Sequence, residues 1–183
     1  MKLCNKLVRN GVVDSLKASG YRTKSEQIRG DEYKVKLYCL FLQEYKETLQ
    51  IDKEPHLYAH YADMLEVIKT LMIYNKVNIN ALNINQTGPM EWYKSFIPQW
   101  QKLADARMDL LQKFEELQSM KTEAIRDQLV DMFNSFKQLV EAHKLSFAQV
   151  NKVSMNRFKQ LGGFNKGLYL VGVSETKESN QTI

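Results

Sequence analysis

Two carboxylates on one predicted helix face are the first candidates for chemistry. Glu44 and Glu47 are three residues apart, and side chains at this spacing project from the same side of an α-helix. Carboxylates held close together repel each other, and a divalent cation relieves that repulsion. The pair therefore indicates a metal site. The competing interpretation is a solvated helix surface, because Lys46 lies between the two carboxylates.

A second group of ligand-type side chains follows at similar spacing. His60 and Asp63 are three residues apart, and Glu66 is one turn further on. If the two helices run antiparallel across the break at Pro55, their polar faces can meet. Mg²⁺ takes oxygen ligands and usually keeps waters and substrate phosphates in its shell. The sequence thus predicts a metal–phosphate site whose ligands are Glu44, Glu47 and Asp63, with His60 and Glu66 as further ligands.

Four segments of the chain resemble the motifs of one known family. Residues 5–10 (NKLVRN) are similar to its opening motif, and residues 42–47 (LQEYKE) resemble its E-x-x-E helix. Residues 61–68 (YADMLEVI) resemble the helix that follows. Residues 162–170 (GGFNKGLYL) resemble the closing Gly-Gly-Phe motif, which precedes a final extended stretch. The family that these segments resemble is the all-α nucleoside triphosphate pyrophosphohydrolase superfamily, which includes the MazG-like and phosphoribosyl-ATP pyrophosphohydrolase-like proteins.

The resemblance implies an enzyme that removes pyrophosphate from a nucleoside triphosphate and leaves the monophosphate. Carried over position by position, Glu44, Glu47 and Asp63 would be the catalytic residues that hold Mg²⁺. The cations Lys6 and Arg9 would face the phosphates, where ordinary surface charge is the alternative. The substrate would also be contacted by Phe164 and Lys166, although a core position is the alternative for Phe164.

The sequence departs from the family pattern at a ligand position, since His60 stands where the family has Glu. Imidazole suits Mn²⁺ or softer ions better than Mg²⁺, so Mn²⁺ is the alternative cofactor, and Glu66 would compensate for the missing charge. Two further functions stay open. One is a degenerate relative that binds a nucleotide or a protein partner without turnover. The other is a helical interaction protein with an accidental likeness.

Apolar residues at helical spacing predict an all-α fold, a helical bundle with a short extended C-terminal stretch. The single domain would cover residues 1–173, and the polar residues 174–183 would form a disordered tail. A loop is expected near residues 78–89. The predicted helices cover residues 5–19, 31–50, 56–74, 90–119 with a break at Pro98, 122–143, and 146 to about 161.

The chain also resembles itself. When residues 42–82 are compared with residues 110–150, ten of the forty-one positions are identical without a gap. The matches include charged pairs such as Asp63 with Asp131, which a shared amphipathic pattern does not explain. The comparison predicts two tandem, diverged helix-pair units that form the bundle. At this spacing Glu44 corresponds to Gln112 and His60 to Gln128, so the second unit would be a structural partner.

Composition narrows the remaining classes of protein. Cys4 and Cys39 match no zinc or disulfide spacing, which favours reduced core thiols and a cytoplasmic protein, in host cytoplasm if the source were viral. No segment has the run of about 20 apolar residues that a membrane helix needs. The net charge is +5, but the basic residues are scattered among acidic ones. We therefore expect a nucleotide substrate, no membrane or nucleic-acid partner, and a monomer or homodimer.

Overall fold

The computed structural model describes residues 1–51, 54–78, 97–120 and 124–175. Within these ranges the chain forms three strands and six helices. The strands are β1 (Lys2–Leu7), β2 (Tyr21–Gln27) and β3 (Leu168–Glu175). The helices are α1 (Val12–Ala18), α2 (Gly30–Thr48), α3 (Glu54–Tyr74), α4 (Gln99–Ser119), α5 (Ile125–Ala142) and α6 (Phe147–Leu161).

The chain divides into two compact units. Unit 1 comprises Met1–Gln43 and Asn156–Ile183, and unit 2 comprises Glu44–Met155. The divisions fall inside α2 and α6, so neither could have been placed from a linker or a change in composition. Each unit has its own buried residues, and the single domain over residues 1–173 stays a prediction.

Unit 1 contains a three-stranded antiparallel sheet, which overturns the all-α prediction. The strand order is β1-β3-β2, so the C-terminal strand pairs with both N-terminal strands. A small core of Val8, Val13 and Leu170 packs with half-buried apolar neighbours. The fold is therefore mixed α and β with a helical majority, and the expected C-terminal extended stretch is the central strand.

The predicted helix over residues 5–19 is wrong in its first half. Residues 2–7 form β1, and the helix begins only at Val12. The strand ends where the amide of Val8 donates to the carbonyl of Leu168, 2.9 Å away. Strand β1 exists because its backbone groups pair with β3, more than 160 residues later in the chain. A local periodicity cannot reveal such a partner.

Unit 2 contains α3, α4, α5 and most of α6, and these helices confirm the helical predictions. The central helices α3 and α5 contact each other, and α4 packs along α5. Aromatic rings fill the space between them: Phe136 meets Tyr61 and Phe147 edge-on, with ring centroids 5.8 Å and 6.3 Å apart. Side chains such as Leu71 and Leu139 are fully buried, and burial of a large apolar side chain stabilises the fold by about 1.5–3 kcal/mol.

The ends of α3 and α5 match each other in detail. Lys76 and Lys144 both have positive φ, 59° and 60°. The amide of Val77 donates to the carbonyl of Met72, and the amide of Leu145 donates to the carbonyl of Val140. This is the same left-handed termination motif at a spacing of 68 residues. The shared motif supports the proposed internal repeat, because lysine at positive φ is uncommon.

Helices α2 and α4, the first helices of the two proposed pairs, align at a different offset from α3 and α5. Four buried positions of α4 coincide with four buried positions of α2 when the offset is 69 residues, whereas an offset of 68 aligns one buried pair. The coinciding pairs are Leu37/Ala106, Phe41/Leu110, Tyr45/Phe114 and Thr48/Leu117. Equivalent positions of α4 and α5 are therefore one residue closer in sequence than those of α2 and α3. By burial, Glu44 corresponds to Lys113 rather than Gln112.

The two cysteines differ in environment. Cys39 is exposed, so its expected core position is wrong, whereas Cys4 is half-buried and packs against the small core of Val8, Val13 and Leu170. Three expected features lie partly outside the described residues. They are most of the loop expected over residues 78–89, the start of the helix expected from residue 90, and residues 176–183 of the expected tail. Ser174 and Glu175 belong to β3. None of the described helices combines the length and apolarity needed to cross a bilayer.

Candidate functional site

The strongest candidate site lies where the last turns of α2 face the first turns of α3, within unit 2. Helix α3 begins at Glu54 with Pro55 in its first turn, a position where proline disrupts no helical hydrogen bond. Residues near 44 on α2 come close to residues near 60 on α3, as the sequence required for its two polar faces to meet.

Glu44 and His60 are in direct contact. The Nδ1 atom of His60 lies 2.7 Å from Oε2 of Glu44. The His60 side chain is 25% exposed and that of Glu44 is 14% exposed, so the pair is sheltered but reachable from solvent. The structure thus brings together two of the residues that the sequence singled out.

The contact fixes the roles of the imidazole nitrogens. A carboxylate accepts hydrogen bonds and cannot donate them, so Nδ1 of His60 carries the proton that it donates to Glu44. In the neutral ring the other nitrogen, Nε2, then has the lone pair. That nitrogen can accept a proton or bind a metal ion. Histidine ligands in proteins usually donate their second ring nitrogen to a carboxylate or carbonyl in this manner.

Glu47 and Asp63 lie one turn from the pair, on the same faces of α2 and α3. Both are half-buried, so each is partly sheltered and partly open to water. Among the described residues, no group of three or more His, Cys, Asp and Glu side chains is arranged to hold a metal ion. The polar faces of α2 and α3 are joined directly by the contact between Glu44 and His60.

Glu66 does not have the position that the metal hypothesis needs. Its side chain is 6% exposed, and the hydroxyl of Ser154 donates to Oε2 at 3.4 Å. Ser154 on α6 is fully buried. Since the carboxylate is directed into this contact with α6, Glu66 is a poor substitute for the charge missing at His60. No sequence pattern indicated Ser154, which is 88 residues from Glu66 in the chain.

The predicted phosphate- and substrate-binding residues belong to unit 1 and fall into two classes. Lys6 and Lys166 are exposed. Arg9 is 3% exposed, donates to the carbonyl of Gly162 at 3.0 Å, and stacks over the ring of Phe164 with 4.9 Å to the centroid. Phe164 is itself buried. Arg9 and Phe164 therefore stabilise the turn before β3, and their contacts are those of a structural pair.

In the proposed repeat, the second helix pair (α4 and α5) has different side chains at the positions that correspond to the candidate site. The amide of Gln128, the counterpart of His60, donates to the carbonyl of Lys113 at 2.9 Å and to Oε2 of Glu116 at 2.8 Å. The ammonium of Lys113 is 3.5 Å from the same Oε2. Hydrogen bonds from Gln112 and Gln128 hold the pKa of Glu116 below its usual range. Two glutamines and Lys113 thus stabilise the ionised Glu116 carboxylate from within the chain.

Sequence reasoning missed a half-buried polar cluster in unit 2, formed by Arg107 and His143. A guanidinium nitrogen of Arg107 lies 3.2 Å from Nε2 of His143, and the His143 ring meets Tyr61 edge-on at 5.5 Å. Burial first, and the charge of Arg107 second, lower the pKa of His143 to about 4. No spacing in the sequence connects these three residues, because α3, α4 and the end of α5 each contribute one.

Comparison of the chain with protein-family models, with curated protein sequences and with solved structures finds no match. The motif residues and the geometry of α2 and α3 are therefore the features that bear on function.

Proposed function

We propose that the protein is a metal-dependent nucleotide pyrophosphohydrolase whose catalytic centre is the Glu44–His60 pair. The single observation that carries this proposal is the 2.7 Å contact between the two side chains. An imidazole whose Nδ1 is held by a carboxylate is arranged to use Nε2 as a base or ligand. The motif residues supply the substrate class, since the resemblance is to enzymes that hydrolyse nucleoside triphosphates.

The proposed roles differ from those expected from the motifs alone. Glu44 holds Nδ1 of His60, so it acts first as a positioning residue, whereas the sequence made it a direct ligand. Nε2 of His60 takes the proton of the attacking water in this proposal, so the carboxylates of Glu47 and Asp63 would hold the cation, although no group of three or more such side chains among the described residues is arranged to hold a metal ion. Carboxylate and water ligands suit both Mg²⁺ and Mn²⁺. A bound cation would lower the pKa of a water molecule and offset charge on the phosphoryl oxygens.

The chain's own part in the reaction follows from these positions. His60, oriented by Glu44, accepts a proton at Nε2 from the attacking water. The water oxygen bonds to the α-phosphorus, and the bond from that phosphorus to the bridging oxygen breaks. The electron pair leaves with pyrophosphate, and the nucleoside monophosphate remains. General base catalysis of this kind contributes roughly 10²- to 10⁴-fold.

The test is pyrophosphate release from a panel of NTPs and dNTPs, with Mg²⁺ and with Mn²⁺. We expect release that depends on an added divalent cation, and a loss of at least about 100-fold in Glu47→Gln and in His60→Gln. Glu115→Gln is the matched control, because Glu115 is an exposed carboxylate on α4, and its rate should stay within about twofold of wild type.

A degenerate relative that binds without turnover is the second candidate. It is favoured by one observation: the charge that the family's Glu would bring is absent at His60, and Glu66 is directed to Ser154 instead. Absence of release with every substrate and both metals would support it. Nucleotide-dependent stabilisation would then be measured, since a ligand that binds only the folded state raises the melting temperature. If neither effect occurred, both proposals would be wrong.

A further inference from the structure

Unit 2 contains a half-buried cation without a counter-ion among the described residues. Arg107 on α4 is half-buried, and its Nε atom is closed to solvent and has no hydrogen-bond partner within the described ranges. A terminal nitrogen of the guanidinium donates to Nε2 of His143 at 3.2 Å. This acceptor is neutral at pH 7, because burial lowers the pKa of the His143 ring to about 4. No carboxylate of the described residues forms an ion pair with Arg107, although buried charges in proteins are usually paired.

Two tyrosine hydroxyls lie close to this guanidinium. The Tyr61 ring on α3 meets the His143 ring edge-on, with 5.5 Å between the centroids. Burial raises the pKa of the Tyr45 and Tyr61 hydroxyls, and the positive charge of Arg107 acts on both in the opposite direction. Such an effect requires proximity, because Coulomb energy falls with distance. Side chains from α2, α3, α4 and the end of α5 therefore converge on one place.

The Tyr61 hydroxyl is a second buried donor without a good acceptor. Tyr61 is fully buried, and its hydroxyl makes no hydrogen bond of good geometry among the described residues. It lies near the hydroxyl of Thr48, whose own proton is donated to the carbonyl of Tyr45 at 2.6 Å. Most buried polar groups in proteins have a partner, and one that lacks a protein partner often marks a bound water or ion.

A small oxyanion would satisfy these two donors and the positive charge together. A guanidinium has five N–H groups, so donation to His143 leaves the Nε–H and a neighbouring terminal N–H of Arg107 for another acceptor. These two N–H groups are parallel, and their spacing matches two oxygens of a carboxylate or a phosphate. A water molecule could also accept from them, but it would leave the guanidinium without a counter-charge. The arrangement therefore favours an anion over a water molecule.

We propose that Arg107 and Tyr61 bind one small oxyanion, which is a phosphate, a sulfate or a carboxylate group. The Nε–H and one terminal N–H of Arg107 hold two of its oxygens, and the Tyr61 hydroxyl donates to the same anion. Arg107 and His143 are both half-buried, so the cluster is reachable from solvent.

The proposal is independent of the hydrolase activity. Tyr61 directly follows His60, and consecutive side chains on an α-helix project about 100° apart. The oxyanion site and the candidate catalytic centre therefore lie on different sides of α3. No residue that would hold the anion belongs to the catalytic centre proposed above.

The first measurement is isothermal titration calorimetry of the full chain with sodium phosphate, sodium sulfate and sodium acetate, at an ionic strength held constant with NaCl. We expect saturation at one site per chain. At an anion concentration about ten times Kd, the melting temperature should rise by about 3–6 °C. The three anions distinguish the sources, because tighter binding of acetate identifies a carboxylate group as the ligand and tighter binding of phosphate or sulfate identifies a phosphate-type anion.

Substitutions test the two proposed donors. Arg107→Gln should weaken binding by about 10- to 100-fold, and Tyr61→Phe by about 2- to 10-fold, since a charged hydrogen bond contributes more than a neutral one. Arg107→Lys keeps the charge but not the parallel N–H groups, so it should restore only part of the affinity. Arg126→Gln is the matched control, because it removes an exposed guanidinium from α5. Glu47→Gln is a second control, which alters the candidate catalytic centre, and both should bind within about twofold of wild type.

A measurement on the wild type alone keeps the proposal testable if a substitution at Arg107 prevents folding. In NMR spectra the ring signals of His143 should move as the anion saturates the protein, because Arg107 contacts both the ring and the anion. The ring signals of His56, which is exposed on α3, should stay in place.

Three results would overturn the proposal. The first is the absence of saturation below about 50 mM of all three anions, which would show that water satisfies the two donors. The second is an equal loss of affinity in Arg107→Gln and Arg126→Gln. The third is a loss in Glu47→Gln as large as that in Arg107→Gln, which would place the anion at the candidate catalytic centre instead.

Discussion

Acidification below pH 6.5 should destabilise the protein through His143. The Nε2 atom of this residue accepts a hydrogen bond from Arg107, because a guanidinium can only donate. Protonation of the ring would remove that bond and place two cations together in a partly buried site. These effects explain why the pKa of His143 falls from 6.5 to about 4 in the folded state.

The direction of the effect follows from proton linkage. Between pH 6.5 and about 4 the unfolded chain binds a proton at His143 and the folded protein does not, so the free energy of unfolding decreases as the pH falls. The contribution is complete above pH 6.5 and fully lost below about pH 4. A shift of this size corresponds to about 3 kcal/mol at most. Since the ring is partly exposed, solvent screening reduces the expected loss to about 1–2 kcal/mol.

Urea unfolding of the wild type and of His143→Asn, at pH 7.0 and pH 4.5, measures this contribution. Asparagine keeps an oxygen that can accept from Arg107 but cannot titrate. We expect the wild type to lose about 1–2 kcal/mol more than the variant on acidification, because titration of the other groups is common to both proteins. Equal losses in the two proteins would refute the reasoning. An NMR titration that gave the His143 ring a pKa near 6.5 would refute it independently.

Two comparisons within the chain give further predictions. Gly167→Ala should destabilise the protein by more than about 2 kcal/mol, since a Cβ there would clash with the backbone oxygen of Ile28. Gly20→Ala would place its Cβ where nothing lies within 4 Å, so it should cost only about 1 kcal/mol for its positive φ. Equal losses of unfolding free energy in chemical denaturation would contradict this prediction. Tyr33→Phe should cost about 1 kcal/mol, because the hydroxyl donates to a buried backbone carbonyl at 2.9 Å. Tyr61→Phe should cost less than Tyr33→Phe, since the buried Tyr61 hydroxyl makes no hydrogen bond of good geometry among the described residues and lies only near the hydroxyl of Thr48. A loss as large as that of Tyr33→Phe would show that the Tyr61 hydroxyl is satisfied.

The proposed repeat affects how the two helix pairs are compared. Sequence identity alone favours an offset of 68 residues throughout, but the burial pattern places α4 at an offset of 69. The difference changes the chemistry assigned to the second pair. Lys113, a cation, then stands at the position of Glu44, and Glu116 stands at the position of Glu47. The first pair retains a carboxylate and an imidazole at positions where the second has an ammonium and an amide.

The sequence by itself determined the long helices. Apolar residues at helical spacing predicted α2 through α6 because each of these helices buries one stripe of its own surface, and that stripe is readable from adjacent residues. The same information placed Glu44 with Glu47 and His60 with Asp63, since helical geometry fixes which side chains share a face. The candidate catalytic residues were therefore found from spacing and motif resemblance.

The tertiary structure alone decided the sheet and the contacts of the site. Strand β2 (YRTKSEQ) is mostly exposed and has no alternating apolar pattern; it is a strand because its backbone pairs with β3, nearly 150 residues away. In the same way, only packing shows that His60 donates to Glu44 and that Glu66 is directed to Ser154. Local sequence encodes which face a residue occupies, whereas its partner depends on segments that are distant in the chain.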